Sequence, residues 1–365
     1  MNIIPIQYYA TVYYNILLFI VVVVYFQSFA SNLESSSNLK SKQTLGAMLL
    51  AFIIIYMGIR DIDIIFVDMY TYSVNFQAYA DGAPFNADKD LLFEIFTMFS
   101  SKVMTVGTFF LLCTFLYVYP LYLATKKMFK EYWFYGFLML VISFSFWAYG
   151  TNGIRNGIAT SVFIYGISLQ KKIPKIIWVI LAVMIHKALI LPALAFAMTY
   201  YYSDSKMYLR CWFLAIPLSL ALGSFWEGFF LSFGFGEEER LAGYLSGSQD
   251  ALDQIVEVKT GFRWDFLLYS ATGVFAGWYY IVRKKFTDKF YNRLYSTYLI
   301  ANGFWVLVIR ANFSNRFAYL SWFILGLVII YPLLKNKIAD KQHQLIGRIV
   351  LIYFLFTFVL DVVLK

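Results

Sequence analysis

The sequence is poor in charge: only 14% of its 365 residues are Asp, Glu, Lys or Arg, where a soluble domain carries about 25%. It has two cysteines, Cys113 and Cys211, both in apolar surroundings and with no CxxC pair. Nothing therefore signals a disulfide framework or a thiolate metal site. The two histidines, His186 and His343, have no cluster of Cys or carboxylates around them in sequence, so no zinc or haem motif can be written. P-loop, GxGxxG and kinase signatures are missing, as is any internal repeat. No metal, cofactor or nucleotide is expected.

What remains is apolar. Hydrophobic residues make up 61% and aromatics 21%. The apolar runs are long and recur, as in "NILLFIVVVVYF" (15–26), "LGAMLLAFIIIYMGI" (45–59), "WFILGLVIIYPLL" (322–334) and "IVLIYFLFTFVL" (349–360). A helix needs about 20 such residues to cross the hydrocarbon core. The expectation is an all-α, polytopic membrane protein of 11–12 transmembrane helices, read as a single membrane domain over 1–365. Spans are expected near 8–30, 44–59, 105–125, 132–150, 153–170, 176–186, 188–202, 209–230, 264–282, 291–309, 317–334 and 347–364. The first run ends in "SFASN", which resembles a signal-cleavage site, but no basic residue precedes it and the first in the chain is Lys40. It reads as a retained helix that starts outside. The net charge of +9 then reports orientation rather than a nucleic-acid partner.

Basic residues set the topology. With the amino terminus outside, most lysines fall in short inner loops such as "KKIPK" (171–175), and most acids fall outside. Residues 176–202 are too few for two full spans. They read as a bent hairpin with "IHKA" (185–188) at its apex; a single long tilted helix is the alternative and would invert every later loop. Two long outer segments, 60–104 and 231–263, are acidic and aromatic and read as lids or short surface helices over an outward cavity. The first contains the amphipathic stretch "LLFEIFTMFSSKV".

Six arginines run against this charge pattern: Arg60, Arg155, Arg240, Arg263, Arg310 and Arg316 all fall outside. Each alone could be a snorkelling anchor at a span end. Lysine fills that role on the inner side, however, and a rigid guanidinium fork suits phosphate or carboxylate. Ionisable residues at the membrane border are functional candidates by default. Several such forks at headgroup level suit a pyrophosphate on a lipid tail. Contacts that tighten as charge builds on that leaving group would speed its departure, while a His or carboxylate takes the proton of an attacking sugar hydroxyl. His186, Asp68 and Glu94 compete for that role. The bland reading makes His186 a structural histidine and the loop acids a solvated face. Asn312-Phe313-Ser314 matches a glycosylation sequon that is common by chance.

The residues also resemble a known family. "GIRDIDIIFVDMYTY" (58–72), with Arg60, Asp68 and Tyr72, is similar to the segment that opens the outer loop of Wzy-type polysaccharide polymerases, in particular the EpsG-like branch. "LFEIF" (92–96), "GIRNGIATSVFIYGI" (153–167), "IHKALILP" (185–192), "GFRWDFLLYS" (261–270) and "NRFAYLSWF" (315–323) resemble its later motifs, in order. Two positions depart from the pattern: Phe66 stands where the family has Gly, and Asn156 where it has Gln.

The resemblance implies a GT-C-like glycosyltransferase fold with an outer-face cavity, in the inner membrane of a bacterial cell with its active face periplasmic. The implied activity is an O-antigen or exopolysaccharide polymerase acting on undecaprenyl-pyrophosphate-linked oligosaccharides, with membrane lipid around it and a chain-length regulator protein as candidate partner. Arg155, Arg263, Arg310 and Arg316 would hold the donor pyrophosphate, with Lys187 and Tyr72 beside them, and Arg60 and Arg240 would serve the acceptor or lid. A flippase of the same lipid-linked repeats and an O-antigen ligase are the rival readings.

Overall fold

The computed structural model describes residues 4–85, 90–232, 261–311 and 314–363. The described residues form α-helices joined by short 3-10, π and turn segments, and contain no strand. The helices are α1 (Tyr9–Ala30), α2 (Ser36–Gly58), α3 (Val67–Ala80), α4 (Leu91–Val103), α5 (Val106–Phe129), α6 (Trp133–Val141), α7 (Phe144–Thr151), α8 (Ile154–Ser168), α9 (Lys172–Ile185), α10 (Ile190–Tyr201), α11 (Ser205–Ser232), α12 (Trp264–Trp278), α13 (Lys289–Leu307), α14 (Asn315–Lys335) and α15 (Gln342–Phe358). The protein is an all-α, polytopic membrane protein.

Among the described residues, five helical stretches are long and apolar enough to cross a membrane: Ile6–Ala30, Ser36–Gly58, Val106–Val141, Asn315–Lys335 and Gln342–Val363. Several other segments expected as spans are shorter or interrupted, while 291–309 forms the unbroken 19-residue helix Lys289–Leu307. The run 132–150 breaks at Ile142 and Ser143 into α6 and α7, of 9 and 8 residues. The break lets the Ser143 hydroxyl bond the Leu140 carbonyl at 2.8 Å, the kind of local side-chain bond that competes with helix. The 28-residue α11 contains Pro217 and is kinked at Leu222. Exposed large apolar side chains line α1 (Phe19, Phe26), α2 (Ile55) and α9 (Ile176, Ile177, Ile180), the surface that acyl chains cover in a membrane protein.

Where the sequence reads as one membrane domain, packing groups the chain into two compact units, residues 1–189 with 330–365, and residues 190–329. In the first unit α8 packs between α5 and α9, α1 against α15, and α2 against α5. Gly157 makes the start of α8 possible: a Cβ there would lie 2.7 Å from the Tyr149 carbonyl oxygen of α7, closer than real Cβ atoms come. In the second unit α13 packs against α11, α10 and α12. A buried polar knot joins these helices. Asn302 accepts from Trp212 Nε1 at 2.7 Å and donates to Ser270 Oγ at 3.0 Å and Ser321 Oγ at 2.9 Å.

The outer segment 60–104 folds as the helix pair α3 and α4, packed on each other. In α4 the usual surface pattern is reversed. Leu91, Ile95, Phe99 and Val103 form the exposed stripe, while Glu94, Thr97, Ser100 and Ser101 face inward. Spacings of three and four residues put each set on one side of the helix. The second outer segment, 231–263, lies almost wholly outside the described residues, as do Arg240 and the Asn312-Phe313 pair of the sequon.

Candidate active site

Ionisable side chains of the first unit converge on Asp90. This residue immediately precedes α4, where an Asp commonly caps its own helix. Its side chain makes no such cap. It turns instead toward two distant parts of the chain. Oδ2 lies 2.6 Å from His186 Nδ1 and accepts from Arg155 Nη1 at 2.9 Å, while Oδ1 accepts the Lys187 backbone N–H at 2.9 Å.

Local structure explains how these partners arrive. Arg155 sits in the first turn of α8, after the tight "TNG" turn that ends α7. His186 ends α9 in an extended conformation (φ −153°, ψ 120°), with its N–H still bonded to the Ala182 carbonyl. A 3-10 turn, Lys187–Leu189, then leads to α10. The break in 176–202 therefore falls at "IHKA", the expected position.

Asp90 is 3% exposed. Burial alone would raise its carboxyl. The hydrogen bond from His186, the Arg155 guanidinium and the Lys187 amide outweigh burial and hold the carboxyl below its ordinary value. The group is a carboxylate at neutral pH, and as an acceptor it makes His186 Nδ1 the donor. In the neutral imidazole, Nε2 is then a bare acceptor. Nε2 has no partner among the described residues. The other histidine is fully engaged, with Nε2 2.7 Å from the Tyr135 hydroxyl and Nδ1 2.6 Å from the Ser31 carbonyl oxygen.

Arg155 carries the cluster outward. Its Nε–H donates to the Tyr72 hydroxyl at 3.1 Å, its guanidinium lies 5.5 Å from the Tyr72 ring centroid, and the side chain keeps 21% exposure. The Lys187 side chain is exposed. The neighbouring Asn156 Oδ1 is buried with no hydrogen-bond partner among the described residues.

The family model described as EpsG family matches residues 44–365. The chain belongs to the EpsG family. The match takes in the whole Asp90 cluster and supports a polysaccharide-polymerase-like role. No curated protein and no solved structure matches the chain.

The remaining candidates of this EpsG-family chain occupy varied settings. Glu94 is buried within the α3–α4 pair, where the Tyr79 hydroxyl donates to its Oε2 at 2.8 Å. Asp68 lies half-buried in the first turn of α3. Arg60 is buried just beyond α2. Its guanidinium donates to the carbonyls of Met57 and of Thr151, the latter at 3.2 Å, and lies 5.4 Å from the Phe66 ring centroid. These carbonyls end α2 and α7, so Arg60 sits where helix-end dipoles favour a cation. Burial lowers its pKa to about 10, which leaves it charged at neutral pH.

Arg263, Arg310 and Arg316 belong to the second unit. Arg263 closes a two-point fork on Asp265, at 2.9 and 2.6 Å, and stacks 3.5 Å from the Phe266 ring centroid. An anion would reach this guanidinium in competition with Asp265. Arg310 and Arg316 flank the connection between α13 and α14 and both are exposed. The apolar stretch 305–323 is thus broken by a turn at the level of its arginines. Gly223 of α11 lies against the Arg310 stem, where an added Cβ would come within 3.2 Å of Cδ.

Sequence reasoning missed Asp90, which lies among the acids read as a solvated loop face. Its partners are 65 and 96 residues away. The one local signal is an Asp at the position preceding an amphipathic helix.

Proposed function

We propose that the protein polymerises undecaprenyl-pyrophosphate-linked oligosaccharide repeats at the periplasmic face of a bacterial inner membrane. The growing chain leaves its lipid carrier and joins a fresh lipid-linked repeat. The observation that carries this reading is the buried Asp90 carboxylate holding both an imidazole and a guanidinium. Such a site has a base and an anion-binding fork side by side, which is what glycosyl transfer from a lipid pyrophosphate asks for.

In the proposed step, His186 Nε2 takes the proton of the acceptor sugar hydroxyl as that oxygen bonds the donor anomeric carbon. The bond from that carbon to the pyrophosphate oxygen breaks, and the leaving lipid pyrophosphate keeps its electron pair. Arg155, with Lys187 nearby, stabilises the charge that builds there. Tyr72 orients the Arg155 fork. The outward apolar stripe of α4 suits a helix lying against acyl chains, where the lipid carrier also travels.

The test is a gel of surface glycan from a strain lacking this chain, rescued by the wild type or by His186→Ala present at equal level. The proposal expects a full ladder with wild type, and a core bearing a single repeat without it or with His186→Ala. Loss of even that single repeat would make the protein a flippase. Long polymer retained on its lipid carrier would make it a ligase. An unchanged ladder would end the proposal.

A further inference from the structure

We propose that Asp90 is the positioning residue of this site: it fixes His186 as the Nδ1–H tautomer, leaves Nε2 bare as the proton acceptor, and sets the Arg155 fork beside it. This inference rests on the glycosyl-transfer reading above for its purpose, but its geometry stands independently.

A carboxylate has only acceptors to offer. Asp90 uses them on three donors from two distant parts of the chain: the Arg155 guanidinium, and the His186 ring and Lys187 backbone amide of one corner. The amide bond anchors the turn that follows His186, so one carboxylate holds both the backbone and the ring of that corner. The Nε2–H tautomer would set a bare Nδ1 lone pair against a buried negative oxygen, and a flipped ring would set Cδ2–H there; either change costs Oδ2 one of its two donors.

One oxygen of Asp90 is shared between base and fork. Oδ2 takes His186 and Arg155 together, at 2.6 and 2.9 Å. Base and fork are thereby set relative to one atom rather than to separate helices. Placing catalytic groups on such a common support is what holds a site within the tolerance that transfer chemistry needs. The substitution of an Asp that would otherwise cap its own helix is the local cost of the arrangement, since α4 begins without a side-chain cap.

The chain has only two histidines, which makes the tautomer directly observable. The experiment is nitrogen NMR of ring-labelled histidine in the full-length protein in nanodiscs at neutral pH, with His186→Ala identifying the His186 signals by their loss. In the wild type we expect His186 to show a protonated Nδ1 and a bare Nε2. In Asp90→Ala the ring should move toward the Nε2–H form favoured by free histidine, with polymer synthesis reduced at least about a hundredfold, the loss that misplacing a reacting group brings. A wild-type His186 in the Nε2–H form would overturn the proposal, and so would an Asp90→Ala spectrum identical to wild type. The wild-type spectrum decides the matter even if Asp90→Ala does not fold. The expected spectrum together with an unchanged glycan ladder in the deletion strain would count against the polymerase reading and leave the tautomer assignment standing.

Discussion

The Tyr79 hydroxyl donates a 2.8 Å hydrogen bond to Glu94 Oε2 between α3 and α4, while Lys102 Nζ donates to the Tyr79 carbonyl oxygen at 2.6 Å. Glu94 thus ties the two helices of the outer segment together. Glu94→Ala leaves a buried hydroxyl without its acceptor and should lower stability by about 1–3 kcal/mol, seen as a drop in melting temperature in detergent. Glu94→Gln keeps an acceptor and should melt near wild type and retain most polymer synthesis. A well-folded but inactive Glu94→Gln protein would move the general base from His186 to Glu94.

Arg155 serves two partners through two different nitrogens, Tyr72 through Nε and Asp90 through Nη1. A lysine ammonium is a point charge and cannot reproduce that fork. Arg155→Lys should therefore lower kcat/KM for polymer formation by about 10- to 100-fold, the equivalent of one lost charge-assisted hydrogen bond, at unchanged expression. Near-normal kinetics would remove Arg155 from the site.

The depressed Asp90 carboxyl gives a pH dependence of known sign. A group whose folded pKa lies below its unfolded value of about 3.9 stabilises the fold at and above that value. The contribution is lost as pH falls through the folded pKa. The stability difference between wild type and Asp90→Asn should shrink as pH falls below about 4. Melting curves across that range check it; a difference that grows on acidification would contradict the shift and its cause.

Asn302 has its carbonyl and both amide hydrogens in use, bridging α11, α12 and α14 from α13. Asn302→Leu strands the Trp212 indole N–H and frees Ser270 and Ser321 from their donor. Bonds of this kind in membrane proteins contribute about 0.6–2 kcal/mol each, so the loss should exceed about 2 kcal/mol and be visible as a lower melting temperature. A variant as stable as wild type would show that apolar packing alone holds these helices.

Helix ends were legible where local chemistry marks them. The first run reads as a span over 8–30 and forms Tyr9–Ala30; the last two read as 317–334 and 347–364 and form Asn315–Lys335 and Gln342–Phe358. The break at "IHKA" was legible from length, because 27 residues bounded by basic loops leave little room for two full spans. α3 was harder to read, since "VDMYTYSVNFQAYA" mixes β-branched and aromatic residues that favour strands, and its helix is set by packing on α4. The role of Asp90 was not legible at all. Its local context is an acidic loop, and only the fold brings Arg155 and His186 to it. Arg60 shows the converse: the same residue type at a span end proves to lie buried on helix carbonyls, a distinction that burial makes and sequence does not.

The most direct test of the account is reconstitution. The purified protein in nanodiscs is supplied with one lipid-pyrophosphate-linked repeat and no nucleotide, and both glycan length and freed lipid pyrophosphate are measured. The account predicts a ladder of products with one lipid pyrophosphate released per new linkage, and neither product with His186→Ala. Folded wild-type protein that releases no lipid pyrophosphate, or a His186→Ala protein that builds the same ladder, would contradict it.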